Sequence, residues 1–310
     1  MSAIMRSWLL SLRRAGPSRL AAPVVAVLSA GLLVSAAVVA TPHQTLDRSP
    51  LRLVFEDTFR GDRLDIWDPV LNPHGRWKTN LLTGDQSGYG VYSSRTLIPN
   101  ADKQIWVDAA FKGLGDRPLG LDPFSVSAGV LTLKGWPTPT ALEAKLWGYR
   151  YVTGMISSER SLVQRYGYFE MDAMWPHGKG AHPGFWLVPA DASWPPEIDI
   201  TEEIGDPNQA YFTLHYTGPD GKPAQDQGMI DHAGSGDRFT RFGLLWTPQI
   251  MAWYQDDKLI RMIRNPGVDK PCYLMATLEI GGAWTGDPDA TTPWPMVWRI
   301  RAIRAYALRT

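Results

Sequence analysis

Trp194-Pro195-Pro196-Glu197-Ile198-Asp199-Ile200-Thr201-Glu202-Glu203 alternates acids with isoleucines directly after a two-proline break. In an extended strand, successive side chains leave on opposite faces. Glu197 and Asp199 therefore share one face, and Ile198 and Ile200 share the other. A core claims the isoleucines and turns the acids toward a concave outer surface. Two carboxylates on adjacent same-face positions repel and raise each other's proton affinity, which no fold needs for stability. Plain alternation places Thr201 and Glu203 with the acids and turns Glu202 inward. A single β-bulge at Ile200-Thr201 reverses this and brings Glu202 onto the face of Glu197 and Asp199. The bulged form is the reading preferred here.

Working outward, period-two patterns recur. In Tyr168 to Trp175, the residues Phe169, Met171, Ala173 and Trp175 share a face opposite Tyr168, Glu170, Asp172 and Met174. Trp253 to Ile260 reads as a hairpin with Asp256-Asp257 at its tip. Arg299 to Leu308 alternates as a closing strand, and Val130–Leu133 and Tyr211–His215 are shorter strands. Past residue 50 no segment keeps a helical period over three turns. The 29 Gly and 25 Pro suit short strands joined by turns. The pattern predicts an all-β, antiparallel two-sheet sandwich. With no repeat or second linker after Leu51, residues 51–310 form one domain and 41–50 a polar linker.

Acidic and basic residues balance at 31 each, without a long run of one sign. This argues against a nucleic-acid partner and toward a neutral or weakly charged one. The single Cys272 excludes an intrachain disulfide and a cysteine-rich zinc site. Arg6, Arg13, Arg14 and Arg19 precede an apolar stretch, Ala21 to Ala40, that ends in small residues. Residues 1–40 thus read as an export signal or, uncleaved, as a membrane anchor. Either way the domain is expected outside the cytoplasm, periplasmic or extracellular.

Paired carboxylates on a concave face are the equipment for glycoside cleavage, in which one acts as nucleophile and one as acid. Retaining enzymes hold them about 5 Å apart. The chain has 14 Trp, and those near Gly and Pro suit sugar stacking.

These residues resemble glycoside hydrolase family 16, the group of laminarinases, lichenases and agarases. Glu197-Ile198-Asp199-Ile200-Thr201-Glu202 matches the family's bulged Glu-x-Asp-x-x-Glu. Tyr166-Gly167-Tyr168-Phe169-Glu170, Pro183-Gly184-Phe185-Trp186-Leu187-Val188-Pro189, Leu214-His215-Tyr216, Trp246-Thr247-Pro248 and Gly281-Gly282-Ala283-Trp284-Thr285-Gly286 look like its other segments, in order. The resemblance implies a concanavalin A-like β-jelly-roll with a groove across its concave sheet. It implies Glu197 as nucleophile, Glu202 as general acid/base and Asp199 tuning the nucleophile. Trp186, Trp194, His215 and Trp284 become candidates for contact with sugar. The substrate implied is a polysaccharide, β-1,3- or mixed β-1,3/1,4-glucan first, cut internally by a monomer without a cofactor. Arg301 stands where many relatives carry a calcium-binding acid, so no metal is expected there. A transglycosylase, an exopolysaccharide-trimming glycanase, a non-catalytic carbohydrate-binding protein and a membrane-tethered envelope protein stay open as alternatives.

Overall fold

In the computed structural model, residues 44–81, 94–231 and 233–309 are described. The export segment read at residues 1–40 lies outside them. Among the described residues, no helix is long and apolar enough to cross a membrane.

The strands follow as β1 (Leu51–Asp57), β2 (Gln104–Trp106), β3 (Phe124–Ser127), β4 (Val130–Pro137), β5 (Tyr151–Thr153), β6 (Met155–Ser157), β7 (Gly167–Met174) and β8 (Ala181–Pro189). They continue as β9 (Glu197–Glu202), β10 (Ala210–Thr217), β11 (Pro223–Ile230), β12 (Thr240–Trp246), β13 (Ile250–Gln255), β14 (Lys258–Arg264), β15 (Cys272–Ile280) and β16 (Met296–Leu308). One sheet runs β14-β13-β12-β7-β16-β4-β5-β2, with β1 on β16 and β3 on β4. The other runs β11-β10-β9-β8-β15-β6. The two-sheet sandwich expected from the alternation is present, antiparallel except where β2 lies parallel to β5.

Its core lies between the sheets. Phe169, Met171 and Ala173 of β7, with Trp175 just past its end, meet Phe185 and Leu187 of β8, Ile198 and Ile200 of β9, and Phe212 and Leu214 of β10. The face assigned to β7 by alternation is therefore the buried one. Trp175 and Trp298 meet in this layer with ring planes tilted by 40° and centres 4.8 Å apart. Trp77, Trp106, Trp246 and Trp253 are also fully enclosed. Much of the tryptophan content thus serves packing, where truncating such a ring to alanine costs about 3–5 kcal/mol. The β13–β14 hairpin turns at Asp256 and Asp257, both with positive φ (49° and 66°), which fits a two-residue turn matched to strand twist.

The described part of the expected linker, residues 44–50, is not a free tether. The Leu46 amide donates to the Asp257 carbonyl at 2.8 Å, and the Leu259 amide donates to the Gln44 carbonyl at 2.9 Å. Leu46 buries its side chain with Tyr168, Tyr254 and Leu259. Arg48 pairs with Glu170 at 2.6 Å and Asp257 at 2.8 Å, and lies over the rings of Tyr168 and Tyr306. This docking has a physical cause. Glu170 is buried on the outward face of β7 and needs cations, which Arg48, Arg241 and Arg304 supply.

Arg301 occupies a register shift of β16 between Ile300 and Ala302. It pairs with Asp172 at 2.6 Å and covers the Phe239 ring.

Candidate active site

The acids of β9 are arranged by an irregularity in its pairing. On β8, Gly184 and Trp186 lie two residues apart, hence on one face; they oppose Glu202 and Asp199, three apart on β9. On β10, Tyr211 and His215 are four apart and oppose Glu202 and Glu197, five apart. Each neighbour registers the same extra residue in β9, at Ile200 by the β8 pairing. The bulge puts Glu197, Asp199 and Glu202 on one face and sends Thr201 and Glu203 inward, both fully buried. From the opposite sheet, the indole N–H of Trp253 donates to the Asp199 carbonyl at 3.0 Å, just before the bulge. This core indole gives a strand carbonyl at the irregularity a partner.

Around the acids, the Trp194 indole donates to Glu197 Oε2 at 3.0 Å. His215 Nε2 stands 3.6 Å from both Glu197 Oε1 and Asp199 Oδ2, within ion-pair range but beyond a hydrogen bond. His182 Nε2 lies 3.0 Å from Glu202 Oε1, and its Nδ1 lies 3.1 Å from Glu279 Oε2. The Thr277 hydroxyl donates to Glu279 at 3.1 Å and accepts from the Trp186 indole at 3.0 Å.

Burial dominates the electrostatics. It pushes Glu197 up to about 8, with help from the charge on Glu202 and against the Trp194 hydrogen bond. Burial, then Glu202 and Glu197, hold Asp199 well above the usual carboxylate range. Glu197 and Asp199 therefore hold a proton between them near neutrality. Burial alone would strip His182 of its proton, but contact with Glu279 and Glu202 outweighs it and holds the imidazole well above its ordinary value. His215 is pulled down by burial. Glu197, Asp199 and His215 offer ligand atoms within 4.8 Å of one another, a spacing that would also admit a cation.

The structure brings together all the residues singled out in sequence, in differing postures. Trp186 lies on the floor, 8% exposed and packed with Trp106, Met155 and Met275, so it offers little of a stacking face. Trp284 is 43% exposed and sets its ring edge-to-face against His182 and Tyr211. Trp194 tilts against His215 at 5.8 Å. His182, Glu279 and Tyr211 escaped sequence reading. His182 alternates with Gly184 and Trp186 along β8, and Glu279 is the lone charge in the apolar run Cys272–Ile280. Those were the available signals.

A model of glycosyl hydrolases family 16 matches residues 132–298, which include β9 and both histidines. The chain belongs to this family. Among its relatives, an endo-1,3-1,4-beta-glycanase, EglC, of Rhizobium meliloti (strain 1021) is 34% identical over 272 residues, 85% of this chain and 53% of that protein. A glucan endo-1,3-beta-glucosidase of Cryptopygus antarcticus is 36% identical over 272 residues, 78% of this chain and 86% of that one. The chain spans about half the length of the rhizobial relatives it matches. In fold it is similar to the catalytic domain of an endo-1,3-beta-glucanase (laminarinase) from Thermotoga petrophila RKU-1. That likeness has a TM-score of 0.64 at 24% identity, over 84% of this chain and 99% of that one. The jelly-roll of family 16 is thus the architecture of this chain.

Two variants probe the bulge. Trp253→Phe leaves the Asp199 carbonyl without its indole partner and should lower stability by about 1–3 kcal/mol in urea unfolding, with a larger proportional loss of catalytic rate. Glu203→Gln should leave activity within a few-fold of the unmodified chain. Burial raises Glu203 well above its usual value, against a hydrogen bond from Ser235. Its stabilising contribution is full below the unfolded carboxylate pKa and is lost as pH rises toward the folded one. The melting temperature of Glu203→Gln should therefore gain on the unmodified protein steadily from about pH 5 upward.

Proposed function

We propose that this glycosyl hydrolase cuts internal β-1,3 or mixed β-1,3/1,4 bonds of a glucan by double displacement, with retention at the anomeric carbon. The observation that carries the reading is the bulge, which turns Glu197, Asp199 and Glu202 onto one face of the smaller sheet. The linkage rests on relatives named for 1,3-1,4-beta-glycan and 1,3-beta-glucan cleavage.

In the first step a Glu197 oxygen bonds to the anomeric carbon while Glu202 gives its proton to the departing glycosidic oxygen. In the second, Glu202 takes a proton from water, the water oxygen bonds to the anomeric carbon, and Glu197 leaves as carboxylate. Asp199 is the acid best enclosed, 2% exposed, and in its neutral form is a donor beside the nucleophile. Proton sharing lets Glu197 become the charged member when substrate is bound, a state the Trp194 N–H favours. Trp194 and the exposed Trp284 are the surfaces offered to sugar rings, and His215 is offered to a hydroxyl. The protein acts as a monomer on a polysaccharide outside the cytoplasm, carried there by residues 1–40. N-terminal sequencing of protein from the medium or periplasm, or its retention in membranes, decides between signal and anchor.

Glu197→Gln and Glu202→Gln should each lower turnover of laminarin or lichenan by about 10²–10⁴-fold with unchanged melting temperature. Proton NMR of the first products should show the β-anomer. Release of the α-anomer, or full activity in Glu202→Gln with loss in Glu203→Gln, would reassign the acids.

A further inference from the structure

His182 stands between two carboxylates and is 7% exposed: its Nε2 is hydrogen-bonded to Glu202 Oε1 at 3.0 Å, and its Nδ1 lies 3.1 Å from Glu279 Oε2, at ion-pair distance but outside hydrogen-bond geometry. A neutral imidazole has one N–H and can satisfy only one such contact; the other would set a lone pair against an oxygen. Both contacts are favourable together when the ring is an imidazolium, or when one acid is protonated. Glu279 is held in place from its other side, because its second oxygen accepts from Thr277, whose hydroxyl is fixed by Trp186. Trp284 closes over the imidazole edge-to-face at 5.2 Å.

We infer that His182, backed by Glu279, is a positioning residue for Glu202: it grips one carboxylate oxygen and leaves the other to meet the glycosidic oxygen. This rests on the reading of Glu202 as acid/base. An isolated imidazolium beside Glu202 would trap it as a carboxylate, unable to give a proton. Glu279 cancels that charge, so the pair orients Glu202 while adding no net field. The groups that face His182 are Glu202 from β9, Glu279 from β15 and Asp102 from the segment before β2, with Glu197 farther along β9. Asp102 accepts from Gln104, and burial and Glu279 raise its proton affinity, so it adds little negative charge. The uncharged neighbours are Trp284 and, beyond it, Tyr211.

The dyad makes opposite predictions for its two halves. His182→Gln removes the cation and leaves Glu279 facing Glu202. The alkaline limb of kcat/KM against pH should then move up by about one unit. Glu279→Gln leaves the imidazolium with Glu202 as its sole close counter-ion, and the same limb should move down by about one unit. In His182→Gln/Glu279→Gln the limb should return close to its original place. The profiles are measured on laminarin or lichenan, whichever the unmodified chain cuts, with melting temperature as the check on folding. Limbs unmoved while rate falls equally at every pH, or moved in the same direction by both single changes, would overturn the proposal. If His182→Gln does not fold, the direction of the Glu279→Gln shift decides alone. Retained activity in Glu202→Gln would instead remove the acid/base reading itself, whatever the dyad does.

Discussion

The geometry of the site depends on one surplus residue in β9. A β-strand of plain alternation cannot put acids at positions 197, 199 and 202 on one face, because the last differs in parity from the others. The bulge supplies the missing half-turn, and it is stable because its surroundings accept it. Thr201 opposes Phe185 toward the core, and the Asp199 carbonyl is met by Trp253 reaching across the sandwich. The two sheets are thus coupled at the point where the chemistry is set. The larger sheet meets the active strand through the Trp253 indole, while the smaller one presents the acids.

Around that frame the protein accepts an electrostatic load that packing alone would reject. Asp199, Glu279 and Asp102 are enclosed and Glu197 is half-buried beside them, and mutual repulsion adds to the loss of hydration. Hydrogen bonds from Trp194, Thr277 and Gln104, and the ring of His182, offset part of this. What remains appears as raised proton affinity at Glu197, Asp199 and Asp102. A site that transfers a proton twice in each cycle benefits from acids that hold protons near neutrality, so the same enclosure that weakens the fold prepares the reaction.

The sandwich was legible because its strands keep a strict period of two, and the β7 run from Phe169 to Trp175 shows its buried face without ambiguity. The bulge was legible for a different reason: chemistry demanded Glu202 on the face that parity denied it. Glu279 and His182 were hidden because their partners lie on strands distant in sequence, and only register brings positions 182, 202 and 279 side by side. The posture of Trp186 was hidden in a related way. Alternation gives its face correctly, yet the neighbours that cover it, Trp106 and Met275, come from elsewhere in the chain. The stretch 44–50 looked like a tether because its polar residues suit solvent equally well, and nothing local reveals that Glu170 lies beneath Arg48.

That docked stretch has a mechanical consequence. Through Gln44, Leu46 and Arg48 the chain is fastened to the β13–β14 hairpin and to β7, all in the larger sheet. A pull applied at residue 44 therefore bears first on backbone hydrogen bonds at the hairpin and on the Arg48 ion pairs. Beyond them it reaches β9 through Trp253 of β13 and its bond to the Asp199 carbonyl. The first bonds to yield under tension are thus ones the catalytic acids do not share.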